Sequence, residues 1–302
     1  MSHRERLLLQ QNETYPIGLG CINCRDLPLC GGISVPGLFN CLDLCCGDKD
    51  RCDFVCPRNL SEYVSQMNSI EDLDLNKLPR VAGVRPPKLP LYVPLIYHKS
   101  TNRRATLNSN VVAVELMQLI DFKTGELRYK SIEEVYRKFG IREGSQILVS
   151  GTADDPPLEK YWLARNIGFF QEFGALNLTL VTTPNFSSLV NAPRWTDMYN
   201  MKRIGICWIE FAQVGIPTSL HLNARTSFDW QRLTEWIVAR EEICSVSFEF
   251  ATLIDSRKTI YVQRLIDLAT AVPRRLLLVV RGGIRYLSKL ASSFDLVYLD
   301  TE

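Results

Sequence analysis

The chain has 302 residues, of which 46% are hydrophobic and 23% charged, with a formal net charge of +2. These values are ordinary for a globular protein and exclude a disordered or collagen-like chain. So small a net charge gives no argument for a nucleic acid or an anionic membrane as partner, although Arg103-Arg104, Lys202-Arg203 and Arg274-Arg275 leave room for a local basic patch.

Residues 1–15 hold only a three-leucine run among charges and glutamines, short of the roughly 7 to 15 apolar residues of a signal peptide. No stretch approaches the ~18 apolar residues of a membrane span, so the expectation is a cytoplasmic protein with no membrane partner. In that compartment clustered thiols serve more often as metal ligands than as disulfides.

Eight of the ten cysteines fall between positions 21 and 56: Cys21, Cys24, Cys30, Cys41, Cys45, Cys46, Cys52 and Cys56. A small loop-rich segment that cannot bury much apolar surface gains folding energy directly from metal binding, and eight thiolates suffice for two four-ligand sites. Cys21-x2-Cys24 suits zinc. The adjacent Cys45-Cys46 and the terminal Cys56-Pro57 suit an iron–sulfur cluster, which is placed ahead of zinc. Residues 1–67 are accordingly read as a Cys-rich metal-binding module.

Pro79, Pro86, Pro87, Pro90 and Pro94 favour extended chain, and 68–110 is read as a connector in which 91–97 could form a strand. From 111 onward, short β-branched runs predict strands at 111–117, 146–150, 178–183, 204–209, 218–223, 245–250, 276–281 and 295–300. Helical patterns fill the gaps at 131–139, 158–173, 194–201, 227–241, 258–271 and 284–291. Continuous apolar strands alternating with helices indicate a parallel sheet covered on both faces. Eight of them indicate a TIM-like (β/α)8 barrel over 111–302, incomplete at its C-terminal helix. An open parallel α/β sheet is the alternative.

Barrel active sites lie at the carboxyl ends of the strands. That rule selects Glu210, Glu249, Asp154 and His221 as candidate catalytic groups, with Glu210 and Glu249 as acid and base across the mouth. Asn185, Asn223, Arg225, Arg281 and Asp300 are candidate substrate-binding groups. Arg281-Gly282-Gly283 leading into a helix could hold a phosphate or could be a plain turn. His221, Asn223 and Arg225 share strand parity, as do Ser245, Ser247 and Glu249, whose neighbours Phe248 and Phe250 would face the helices.

The segments Thr183-Pro-Asn-Phe-Ser187, Pro193-Arg194-Trp195, Asn200-Met-Lys-Arg203, Leu222-Asn-Ala-Arg225 and Phe248-Glu-Phe250 resemble an uncharacterised group of bacterial, phage and mobile-element proteins, some with a cysteine-rich front end. The resemblance covers about residues 150–300. It implies a barrel-like domain and a mobile-element or phage-defence setting, and it carries no catalytic residues over. Two functions follow as expectations. One is a metal-containing barrel enzyme acting on a nucleotide, nucleic acid or glycosidic substrate, as a hydrolase or transferase. The other is a non-enzymatic binding or assembly module that meets a protein partner in a multi-component system.

Overall fold

The structure, a computed structural model, describes residues 66, 68–96, 106–165, 169–188, 194–253 and 255–301. The eight clustered cysteines lie outside them. The described chain falls into two compact units. One comprises 79–185, 204–222 and 237–302; the other takes in residues up to 78, 186–203 and 223–236.

The first unit is a closed barrel. Its strands are β1 (Tyr92–Ile96), β2 (Val111–Glu115), β5 (Gln146–Ser150), β6 (Leu180–Thr182), β7 (Thr218–His221), β8 (Ser245–Glu249), β9 (Leu277–Arg281) and β10 (Asp295–Thr301), hydrogen-bonded in that order with β10 returning to β1. Every pairing is parallel. A small antiparallel pair, β3 (Ile120–Asp121) and β4 (Glu126–Leu127), stands apart.

Two expectations are corrected. The run at 204–209 is no strand; it lies inside a 20-residue helix, Arg194–Gln213. The strand that completes the barrel is β1, inside the stretch read as a connector, so the barrel begins at Tyr92 rather than at 111. Pairing of β1 with β10 also overturns the open-sheet alternative.

The helices follow local rules. Helix α1 (Leu116–Leu119) follows β2 directly. Helix α2 (Ile132–Phe139) begins where Ser131 Oγ accepts the Glu134 N–H, with Glu133 and Glu134 in its first turn and Arg137 and Lys138 in its last. It stops at Gly140, whose φ of 60° suits a residue without Cβ. Pro156 and Pro157 open α3 (Asp155–Ala164), where a missing N–H costs nothing. The expected helix over 158–173 is divided, and α4 spans Phe170–Ala175. Helices α5 (Arg194–Gln213), α6 (Ser227–Val238), α7 (Asp255–Ala271) and α8 (Leu287–Ala291) follow. None is long and apolar enough to cross a membrane among the described residues.

Strand register fixes the barrel's geometry. Followed from Glu115 through Ser150, Thr182, Ser219, Ser245, Leu277 and Asp295, the register returns to β2 at position 107, eight residues lower. Eight strands with that stagger are the geometry of a TIM barrel, whose inward side chains stack in layers of four from alternate strands. Each step to the next strand must then climb one residue to stay level. The layers, from the amino end of the strands, are Val111, Leu180, Ser245 and Val297; Val93, Leu148, Ser219 and Val279; Ala113, Thr182, Ser247 and Leu299; then Leu95, Ser150, His221 and Arg281. The apolar members of these layers form one buried cluster, which supports the assignment. Polar members concentrate on β7 and β8, where the Ser245 hydroxyl donates to Ser219 Oγ at 3.0 Å. Outward residues meet the helices as expected: Phe248 packs against Tyr261 of α7 with ring centroids 5.4 Å apart.

The second unit is built on a short apolar segment, with Ile70, Leu73 and Leu75 each 2% exposed. Side chains of α5 and α6 hold its backbone: Trp236 Nε1 donates to Leu75 O at 2.9 Å, Arg232 to Leu73 O, and Lys202 to Asp74 O, with Lys202 Nζ also 3.2 Å from the Asp72 carboxylate. The guanidinium of Arg203 lies 3.9 Å from the Phe186 ring centroid and 4.5 Å from that of Tyr199.

Candidate functional site

The carboxyl ends of the strands carry the polar residues. One level above the fourth layer, the same climb brings Glu115 of β2 and Glu249 of β8 to equal height. These are the second and sixth strands of the barrel, four apart on an eight-strand ring, so the two positions face each other across the mouth. Beneath them, Leu95, Ser150, His221 and Arg281 form the floor.

Glu249 is 6% exposed. Its Oε1 accepts the Ala251 N–H at 2.7 Å. Oε2 lies 3.5 Å from Arg281 Nη1, yet no hydrogen bond is aligned to it. Burial pushes the Glu249 carboxyl up to about 7, partly offset by the Ala251 N–H. Burial disfavours the ionised form, and one misaligned guanidinium does not restore it. Arg281 is partly buried in turn, which lowers its pKa.

His221 is buried, and burial brings its imidazole down to about 4, so it is neutral at physiological pH. Its Nδ1 is 3.4 Å from Ser247 Oγ, and its backbone N–H donates to Thr183 Oγ1 at 2.8 Å. His221 is thus a hydrogen-bonding layer residue, not a cation. Glu115 accepts from Gln118 Nε2 at 2.7 Å.

The other sequence candidates divide. Asn185 stands where expected, after β6, and its Oδ1 accepts the Ala153 N–H at 2.9 Å, tying the β5 and β6 loops. Asp154 is exposed at the N-cap position of α3 and makes no capping bond there. Asp300 is exposed and, by alternation with inward Leu299, points away from the barrel interior, which corrects its expected place at the mouth. Glu210 is corrected as well. It sits near the end of α5 instead of at a strand end, where Arg165 Nη1 donates to its Oε1 at 2.6 Å. Burial raises Glu210 to about 7 against the opposing pull of Arg165, but it is not placed to face Glu249 as a strand-end partner.

Asn223 and Arg225 do not continue β7, which ends at His221. Both belong to the second unit. There Asn223 pairs with Ser188 at 2.8 Å and with the Phe186 carbonyl, while Arg225 Nε meets Asp197 Oδ2 at 2.8 Å with both side chains buried. The shared parity read from the sequence therefore has no strand to act on.

Gly282 and Gly283 have φ of 72° and 70°. A Cβ at Gly282 would stand 2.6 Å from the Ala251 backbone nitrogen, so this glycine pair is what lets the β9 loop pass the Phe250–Ala251 turn that caps Glu249. The plain-turn reading of this segment thereby has a physical cause.

Among the described residues no group of three or more His, Cys, Asp or Glu side chains is placed to hold a metal ion. Compared with protein-family models and with curated protein sequences, the chain matches none.

Proposed function

We propose that the protein is a barrel enzyme that transfers protons at the mouth formed by β2, β8 and β9, acting on a nucleotide, nucleic acid or glycosidic substrate. The observation that carries the reading is the facing pair Glu115 and Glu249, with the second carboxyl buried and lifted to about 7. A carboxyl with that pKa is half protonated near neutral pH and can give a proton to a leaving oxygen or nitrogen. An opposing carboxylate then serves as base or nucleophile, the division of labour used in glycosidic bond cleavage. Arg281 stands beside Glu249 to neutralise an anionic group on the substrate.

The test is turnover by the full chain against a panel of nucleotides, oligonucleotides and aryl glycosides, with Glu115→Gln as the variant. The expected result is turnover of one class, reduced by at least ~10²-fold in the variant while the thermal midpoint is held. Undiminished turnover in Glu115→Gln, or no turnover of any class, would reject the reading.

A second reading is favoured by one specific feature: Asn185, Asn223, Arg225 and His221 are all engaged by neighbouring protein groups. Such mutual satisfaction suits a binding or assembly module of a mobile-element or phage-defence system that meets a protein or nucleic acid on its surface.

For Cys21 to Cys56 we propose an iron–sulfur cluster, with zinc as the alternative, from the thiol donor set alone. Anaerobic purification followed by measurement of iron, acid-labile sulfide and zinc per chain decides it. Iron with matching sulfide is expected; stoichiometric zinc in a colourless protein would replace the cluster with a structural clip.

A further inference from the structure

At the opposite end of the barrel the chain from Arg85 to Leu91, the starts of β8, β9 and β10, and α8 together line an open cavity of about 690 Å³. That volume lies within the range of small-molecule sites. Its walls are apolar on one side, from Leu91, Leu277, Leu287 and Phe294. Leu277 and Leu89 also pack onto the buried cluster inside the barrel, so the cavity floor is the amino-end plug of the core.

The remaining wall is cationic, with Arg85, Lys88, Arg274 and Arg275 against the single carboxylate Asp295. Arg275 is consumed structurally: Nε meets Asp295 at 2.8 Å and its other nitrogens donate to the carbonyls of Ala291, Ser292 and Phe294. Arg274 donates through Nε and Nη2 to the carbonyls of Ile237, Arg240 and Ile243, and its Nη1 is buried without an acceptor. Glu241 and Glu242 act on Arg274 from nearby, but Glu242 is already shared by Arg80 at 3.0 Å and Arg240 at 3.5 Å. Arg85 and Lys88 are exposed and make no hydrogen bond or ion pair among the described residues.

Arg85 and Lys88, which stand beside an apolar pocket without a carboxylate partner among the described residues, are matched by a ligand with an anionic head and an apolar body. We propose that this cavity binds an amphipathic organic anion, an alkyl or aryl phosphate or carboxylate, with its head between Arg85 and Lys88 and its body against Leu287 and Phe294. The site is separate from the strand-end mouth and stands whatever that mouth does.

The probe is octyl phosphate, titrated calorimetrically into the full chain below its micelle concentration, with inorganic phosphate and octyl glucoside as head-only and body-only controls. One site per chain is expected, at least tenfold tighter for octyl phosphate than for either control. Arg85→Glu with Lys88→Glu is expected to weaken binding at least tenfold, and Ser288→Trp, which fills the cavity from α8, to abolish it. Arg85→Lys with Lys88→Arg retains it. Because the substituted residues are exposed, the thermal midpoint is expected to stay fixed in every variant. Equal affinity for inorganic phosphate would reduce the site to a surface cation patch, and unchanged affinity in the double glutamate variant, or no saturable binding, would equally overturn the proposal.

Discussion

Replacing Asp197 with alanine is expected to destabilise the protein by about 3 to 5 kcal/mol, the cost of leaving one partner of a buried ion pair behind. The Asp197 side chain is 0% exposed and that of Arg225 8%, with Nε and Oδ2 at 2.8 Å. Arg225 Nη2 is buried without a hydrogen-bond partner of its own, so the guanidinium is already incompletely satisfied. Asp197 therefore does most of the work of keeping a desolvated cation tolerable. Removing both charges, as Asp197→Leu with Arg225→Met, is expected to recover much of the loss, because replacing a buried pair by apolar groups of similar volume is often near neutral. Urea midpoints of the two variants and the parent check this. A single-variant loss below about 1 kcal/mol would mean that the pair is solvated in solution and contributes as a surface bridge does.

That pair also shows where sequence reading stops. The alternation of His221, Asn223 and Arg225 points to a strand carrying Arg225 to the barrel mouth, yet β7 ends at His221 and the alternation past it carries no information. Asp197, its partner, lies 28 positions earlier within a helix and has no local signal, since ion pairing across such a separation is decided by tertiary packing alone. Glu210 failed for a related reason. The run Ile204-Gly-Ile-Cys-Trp-Ile209 is apolar enough to read as a buried strand, and only its place within a longer helical segment settles the matter.

Glu115 carries no strand-end signal in the sequence, because Leu116 and Met117 extend the apolar run two residues beyond the true end of β2. The barrel itself was legible. Seven of its eight strands coincide with β-branched runs, and the eighth, β1, was visible as a strand but hidden among prolines. Pro94 is tolerated there although β1 is hydrogen-bonded on both sides, an exception to the usual exclusion of proline from inner strands. Glu249 was legible for a physical reason. Serines and a glutamate alternating with Val246, Phe248 and Phe250 leave only one face for the polar set, and that face is the barrel interior.

Glu249→Gln is expected to lower turnover by roughly 10²- to 10⁴-fold, because glutamine keeps the shape but cannot exchange a proton. The same substitution has a second readout that needs no substrate. The folded-state pKa of about 7 stands above the ordinary 4.5, so the folded protein binds the proton more tightly than the unfolded chain. The stability contributed by the neutral carboxyl is fully present below pH 4.5 and is lost as pH rises through 7. For a shift of this size the loss is roughly 3 kcal/mol. Glu210 adds a slope of the same sign, whereas His221, depressed to about 4, contributes stability above pH 6.5 that is lost as pH falls through 4. Between pH 5 and pH 8 the parent is therefore expected to lose stability, and Glu249→Gln to lose distinctly less. Urea denaturation at the two pH values separates the possibilities. A parallel decline in parent and variant would show that Glu249 is ionised throughout by Arg281, which would leave the mouth a salt bridge and remove the proton donor on which the enzymatic reading depends.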